Sequence, residues 1–124
     1  MKKILSTALL LSVIAGSGMQ AQVTVEKFEV AGIPVILKSI KANDVVAVRL
    51  YLKGGSAALT PANAGIESMM LASSTQGTDR YSKDAFAARS TETGTDIGSD
   101  AVSDYSVLTM QGVRENWNAA WDLF

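Results

Sequence analysis

Few side chains in this 124-residue chain can do chemistry, and the types it lacks say as much as those it has. It contains no His and no Cys. That removes the commonest zinc ligand, the usual general base near neutral pH, and any disulfide. Ser73, Ser74 and Ser82 have no imidazole to activate them, so a nucleophilic triad is unsupported. Asp96, Asp100 and Asp104 recur every four residues. Across a hairpin this spacing reads as turn chemistry in preference to a calcium or acid/base cluster. Trp117 and Trp121 read as core rather than as an aromatic binding platform. The stretch around which the chain is organised is Ala64-Gly65-Ile66-Glu67-Ser68-Met69-Met70-Leu71-Ala72-Ser73-Ser74-Thr75-Gln76-Gly77-Thr78, a helical segment running into a loop that ends in Gly-Thr.

The elements that must position that stretch follow from periodicity and turn residues. Val23–Val30 and Ile33–Lys38 are β-rich runs separated by Ala31-Gly32, which reads as a tight hairpin. Pro34 cannot donate a ladder hydrogen bond and places itself at an edge or near the start of its strand. Lys41-Ala42-Asn43-Asp44 supplies the next turn. Residues 45 to 52 alternate strictly, Val46, Val48, Leu50 and Leu52 forming one apolar face of a strand. Gly54-Gly55-Ser56 ends it, and Thr60-Pro61 predicts a helix start, with Thr as N-cap and Pro at the first helical position. Ile66, Met69, Met70 and Ser73 share one side of that helix and are expected to anchor it. A second helix is predicted from Lys83 to Thr93, with Ser82 as N-cap and Gly94 as left-handed stop. Two strands follow, Thr95 to Ser99 and Ser103 to Gln111, joined by Asp100-Ala101-Val102. Trp117, Ala120, Trp121 and Phe124 then form the stripe of an amphipathic helix.

Composition places the chain in the ordinary globular class: 48% hydrophobic and 19% charged residues, with a formal net charge of -1. With no basic run, nothing points to nucleic acid or an anionic membrane surface. The N-terminus carries Lys2-Lys3 ahead of an uncharged run from Ile4 to Gly18, the pattern of a secretory signal peptide. Cleavage after Ala21 gives residues 1–21 as leader and 22–124 as the mature part; Met19 is large for the minus-three position, so cleavage after Gly18 stays open. The apolar run is shorter than the ~20 residues that span a bilayer, so no membrane span is expected in the mature, exported chain, periplasmic or secreted. The apolar stripe from Trp117 to Phe124 has no cap, which reads as the front part of a longer domain truncated at its C-terminus.

The order hairpin, strand ending in Gly54-Gly55-Ser56, helix Ala64-Gly65-Ile66 to Gln76-Gly77-Thr78, then Tyr81-Ser82-Lys83-Asp84-Ala85-Phe86, then Gly94 to Asp104-Tyr105-Ser106-Val107, resembles the N-terminal domain of the pitrilysin/insulysin peptidases, which include the mitochondrial processing peptidases. The resemblance implies an α+β fold: an antiparallel-rich sheet with helices packed on one face, the first part of a pitrilysin-type, processing-peptidase-like metallohydrolase domain. In that family the helix carries the zinc motif H-x-x-E-H, two imidazoles one turn apart converging on one metal beside a Glu that takes a proton from the bound water.

Matched on the flanking Ala64-Gly65 and Gly77-Thr78, the motif's first His falls on Ser68, its Glu on Leu71 and its second His on Ala72. A neutral hydroxyl is a poor zinc ligand and the other two have no donor atom, so no catalytic residue, no metal ligand and no cofactor is expected. Glu67, one position along, lies about 100° around the helix from Ser68. The resemblance implies that the strand after Gly94, taken as Thr95, Asp96, Ile97, Gly98 and Ser99, lies at a sheet edge and binds extended peptides by strand addition. Gly98 there allows close backbone approach. The resulting expectation is a catalytically inactive homologue of a zinc metallopeptidase, the non-catalytic half or subunit of an exported proteolytic chamber, paired with a zinc-bearing homologue. The alternatives are a non-enzymatic peptide-binding or structural domain and a truncated fragment without independent function.

Overall fold

The computed structural model describes residues 23–124; the leader expected at residues 1–21 lies outside them. The described residues fall into two compact units, divided between Ala42 and Asn43.

The first unit is a hairpin, β1 (Val23–Val30) against β2 (Ile33–Ile40), in the register Val30↔Ile33 to Val23↔Ile40. Ala31 and Gly32 both take positive φ, 48° and 82°. That is the two-residue turn whose twist matches the strands. Pro34 faces Glu29 across the ladder, one step beyond the pair that flanks the turn. By the alternation of antiparallel pairs this position has no hydrogen bond to its partner, so the missing N–H of Pro34 weakens nothing in the hairpin.

The second unit is built on a three-stranded antiparallel sheet, β3 (Val45–Lys53), β4 (Asp96–Ala101) and β5 (Tyr105–Val113), in the order β3-β5-β4. Val48 pairs with Met110, which in turn pairs with Ile97. On the central strand β5, Ser106, Met110 and Gly112 are buried, Met110 to 1% exposure and Ser106 completely. A β-carbon on Gly112 would meet Ala120 at 3.7 Å, so the face carrying Ser106, Met110 and Gly112 is the one that the last helix covers.

Three helices follow the expected order: α1 (Ile66–Ser74), α2 (Lys83–Thr93) and α3 (Trp117–Leu123). α2 has the predicted bounds and caps. Ser82 Oγ accepts from Ala85 N at 3.4 Å, and Gly94 turns left-handed at φ 62°. Thr95 N donates to Ser90 O and Gly94 N to Thr91 O, closing the end of the helix. Asn116 Nδ2 then donates to Thr93 O at 3.0 Å and ties the start of α3 to the end of α2.

α1 begins later than Thr60-Pro61. Asn63 Oδ1 accepts from both Thr60 N, at 2.6 Å, and Thr60 Oγ1, at 2.8 Å. The hydroxyl expected to cap a helix is thereby spent as a donor in a turn. Gly65 then adopts φ 84°, a left-handed conformation that cannot continue a right-handed helix, so Ile66 is the first helical residue.

The inward faces of α1 and α3 also differ from expectation. Met69 is 73% exposed and Ile66 and Met70 are exposed too, whereas Leu71 is 2% exposed. On α3 the buried residues are Ala120 and Leu123, and Trp121, 53% exposed, stacks on Trp117 at 5.2 Å between ring centroids. Trp121 is therefore not core. Side-chain hydropathy marked the right helices, but polar bonds chose how they are rotated.

Candidate functional site

The site expected from the sequence is the face of α1 that carries Ser68, Leu71 and Ala72, at i, i+3 and i+4. The structure splits them. Leu71 is turned into the core, while Ser68 and Ala72 are exposed. The residue that fixes this rotation is Glu67. Its carboxylate accepts from Gly55 N at 3.1 and 3.0 Å and from Ser106 Oγ. One side chain thus joins α1 to the loop after β3 and to the central strand β5. Glu67 and Leu71 are one turn apart, so the polar anchor and the apolar one lie on the same inward side.

Gly55 is as constrained as its partner. It sits at φ 89°, and a β-carbon there would lie 2.4 Å from Ser103 O and 2.6 Å from Val102 O. Ser56 N and Ala57 N donate to those same carbonyls at 2.9 and 3.0 Å. The Gly54-Gly55-Ser56 segment is therefore a backbone clasp between the end of β3 and the β4–β5 turn, with Glu67 closing it from the helix side. Sequence reasoning set Glu67 aside because it misses the motif register. The signal available was its place one turn ahead of an apolar residue, next to a Gly-Gly loop with free N–H groups.

The residues at these three positions do not fit a zinc centre. A hydroxyl, an isobutyl and a methyl group are a donor set that does not fit zinc, and among the described residues no group of three His, Cys, Asp or Glu converges on one point. Glu67 is held by three donors and faces the sheet.

The expected peptide-binding strand is β4, and it lies at the edge of its sheet, pairing only with β5 among the described residues. Its bounds are Asp96–Ala101. Thr95 precedes it: the residue is buried and its hydroxyl meets that of Thr93 at 2.8 Å, so it belongs to the helix stop and not to the edge. Val102 N donates to Tyr105 O, which makes Ala101↔Ser106 a pair without mutual hydrogen bonds. By alternation Asp96, Gly98 and Asp100 bond to β5, and the N–H and C=O groups of Ile97, Ser99 and Ala101 point outward from the sheet. Asp96 and Asp100 therefore lie on the strand itself; of the three regularly spaced aspartates, only Asp104 sits in a turn.

A shallow pocket of about 200 Å³ lies beside the start of β4, lined by Gln76, Lys83, Phe86, Ser90, Asp96 and Ile97 among others. Ser90 Oγ is buried there without a hydrogen-bond partner.

A second polar cluster joins the segment before α2 to α3. Asp122 accepts from Arg80 at 2.7 Å and from the Tyr81 hydroxyl at 3.0 Å. The hydrogen bond to Asp122, and then its charge, raise the Tyr81 phenol above its ordinary 10.0. Because the folded value is the higher one, this contact is complete below pH 10 and is lost as pH rises through the raised value. In an ultraviolet titration of the three tyrosines we expect Tyr81 to ionise above the ordinary range, and Asp122→Asn to bring its ionisation down; an unchanged curve in Asp122→Asn would remove Asp122 as the cause.

No protein-family model matches the chain, and no curated protein does. Solved structures do. A peptidase M16 inactive domain from Pseudomonas fluorescens superposes with a TM-score of 0.73 at 20% identity, over 81% of this chain and 25% of that one. A protease from Helicobacter pylori superposes with a TM-score of 0.68 at 18% identity, over 83% of this chain and 25% of its own. The chain thus spans about a quarter of the length of the solved structures it matches. The α+β arrangement of antiparallel strands and helices has the fold of a pitrilysin-like peptidase M16 domain.

Proposed function

We propose that this chain acts as a catalytically inactive peptidase homologue, the non-catalytic half or subunit of an exported proteolytic chamber, which holds extended peptide at β4 while a zinc-bearing homologue cleaves it. The observation that carries the reading is the occupancy of the motif positions: Leu71, where the family's general base would stand, is a core residue 2% exposed, and Ser68 and Ala72 supply no imidazole. An M16-type fold that keeps the helix but places a core leucine and two exposed side chains without an imidazole or a carboxylate at those positions is suited to binding and not to hydrolysis. The edge position of β4 supports the peptide-holding part, because its outward main-chain groups can add a strand without any side-chain chemistry. Export rests on the Lys2-Lys3 and apolar pattern of residues 1–21. Residues 22–124 are then part of an N-terminal peptidase-type domain.

Co-expression of the full chain with a zinc-bearing pitrilysin-type peptidase of the same genome tests the pairing. We expect the two to co-purify in equal amounts and the pair to cleave peptides faster than the zinc-bearing protein alone. Separate elution with unchanged turnover would instead favour a binding or structural domain that works without a chamber partner.

A further inference from the structure

We infer that the β4 edge selects extended peptides carrying two basic side chains four residues apart, with a bulky residue midway between them; this rests on the strand-addition reading of β4. Asp96, Gly98 and Asp100 share one face of the strand, and both aspartates are exposed. Neither has an ion-pair partner among the described residues. On the same sheet face their β5 neighbours are Gln111, Thr109 and Val107, none of them charged. The next strand places Arg49 opposite Thr109, two strand spacings or about 10 Å from Gly98. Lys83 lines the pocket beside Asp96 without forming an ion pair with it, so the edge presents two unpaired carboxylates where an incoming strand would lie.

The ladder sharpens the preference. Ile97, Ser99 and Ala101 have the outward N–H and C=O groups, so an added antiparallel strand would exchange hydrogen bonds with them. Asp96, Gly98 and Asp100 would then form the close pairs without mutual hydrogen bonds, where Cα atoms stand about 4.5 Å apart and side chains meet most directly. Two cations at positions j and j+4 of the peptide fall opposite Asp96 and Asp100. Position j+2 falls opposite Gly98, which puts no side chain of its own between the strands, so a large peptide residue there meets only the Thr109 hydroxyl on the neighbouring strand, 3.2 Å from where a β-carbon would stand. The same charges disfavour a second copy of this chain at the edge, since two antiparallel β4 strands would bring aspartates together.

Two end-blocked fluorescent peptides of identical length, one with Lys-x-Phe-x-Lys and one with Glu-x-Phe-x-Glu at the centre, are titrated against the full chain by anisotropy at low salt. We expect the basic peptide to bind about 10-fold more tightly, each of Asp96→Asn and Asp100→Asn to weaken it about 3-fold, and the preference to shrink at high salt. Circular dichroism of the variants, both changed only at exposed positions, verifies that the fold is intact. Equal binding of the two peptides, or a preference that survives the double substitution, would overturn the charge selection while leaving strand addition standing. Binding of neither peptide would overturn strand addition itself.

Discussion

Glu67→Ala is expected to lower the unfolding free energy of the second unit by about 3 kcal/mol, the cost of leaving a buried hydroxyl and a part-buried N–H without their charged acceptor. Ser106 is fully buried, and its hydroxyl donates to Glu67; Gly55 N donates to the same carboxylate at 3.0 and 3.1 Å. Gly55 is held in place, because Val102 O and Ser103 O crowd the side on which a β-carbon would stand and accept from the next two backbone N–H groups. Glu67→Gln retains one acceptor oxygen and should cost less, about 1 kcal/mol. A double-mutant cycle with Ser106→Ala separates the bond from the burial: coupling of about 1 kcal/mol or more between the two positions in urea unfolding is the expected result. Additive effects would mean that Glu67 stabilises through packing alone.

Leu71→Ala is the second large effect, at about 3 kcal/mol, since a leucine exposed to only 2% leaves a cavity that the helix and sheet cannot fill by relaxation. Leu71→Glu is expected to cost more, because it would put an unpaired carboxylate at a position exposed to only 2%. A carboxylate at this position would therefore cost stability. Met69→Ala, one turn face away and 73% exposed, provides the comparison and should change unfolding by less than about 0.5 kcal/mol. Equal losses at 69 and 71 would show that the helix is rotated differently in solution.

The sequence and the structure agree where a signal is local and diverge where a long-range bond decides. The α2 bounds could be read because Ser82 and Gly94 each do one thing in one place: an N-cap hydroxyl and a left-handed stop. The Ala31-Gly32 turn was legible for the same reason. The start of α1 was not. Thr60-Pro61 is a sound helix-start pattern, yet Asn63 three residues on captured the threonine in a turn. The inward side of α1 was misread because Ile66, Met69 and Met70 look like anchors by hydropathy, whereas Glu67 bonds to residues 12 and 39 positions away. Pattern along a helix carries no information about such partners. Of the candidate site, the edge position of β4 follows from the order in which strands pair; Asp100 was mistaken for a turn residue because the strand runs to Ala101 and not to Ser99, and Asp96 because the regular spacing was put ahead of the strand it stands in.

On the proposed function, α1 carries one core leucine and two exposed side chains without an imidazole or a carboxylate at the motif positions, and hydrolysis, where it occurs, belongs to another protein. This central claim is tested most directly by the metal content and peptidase activity of the purified full chain after dialysis against zinc, read by elemental mass spectrometry and by cleavage of a quenched peptide library. The account predicts zinc well below one per chain and no cleavage above buffer. One zinc per chain, with peptide cleavage that a chelator abolishes and zinc restores, would contradict it.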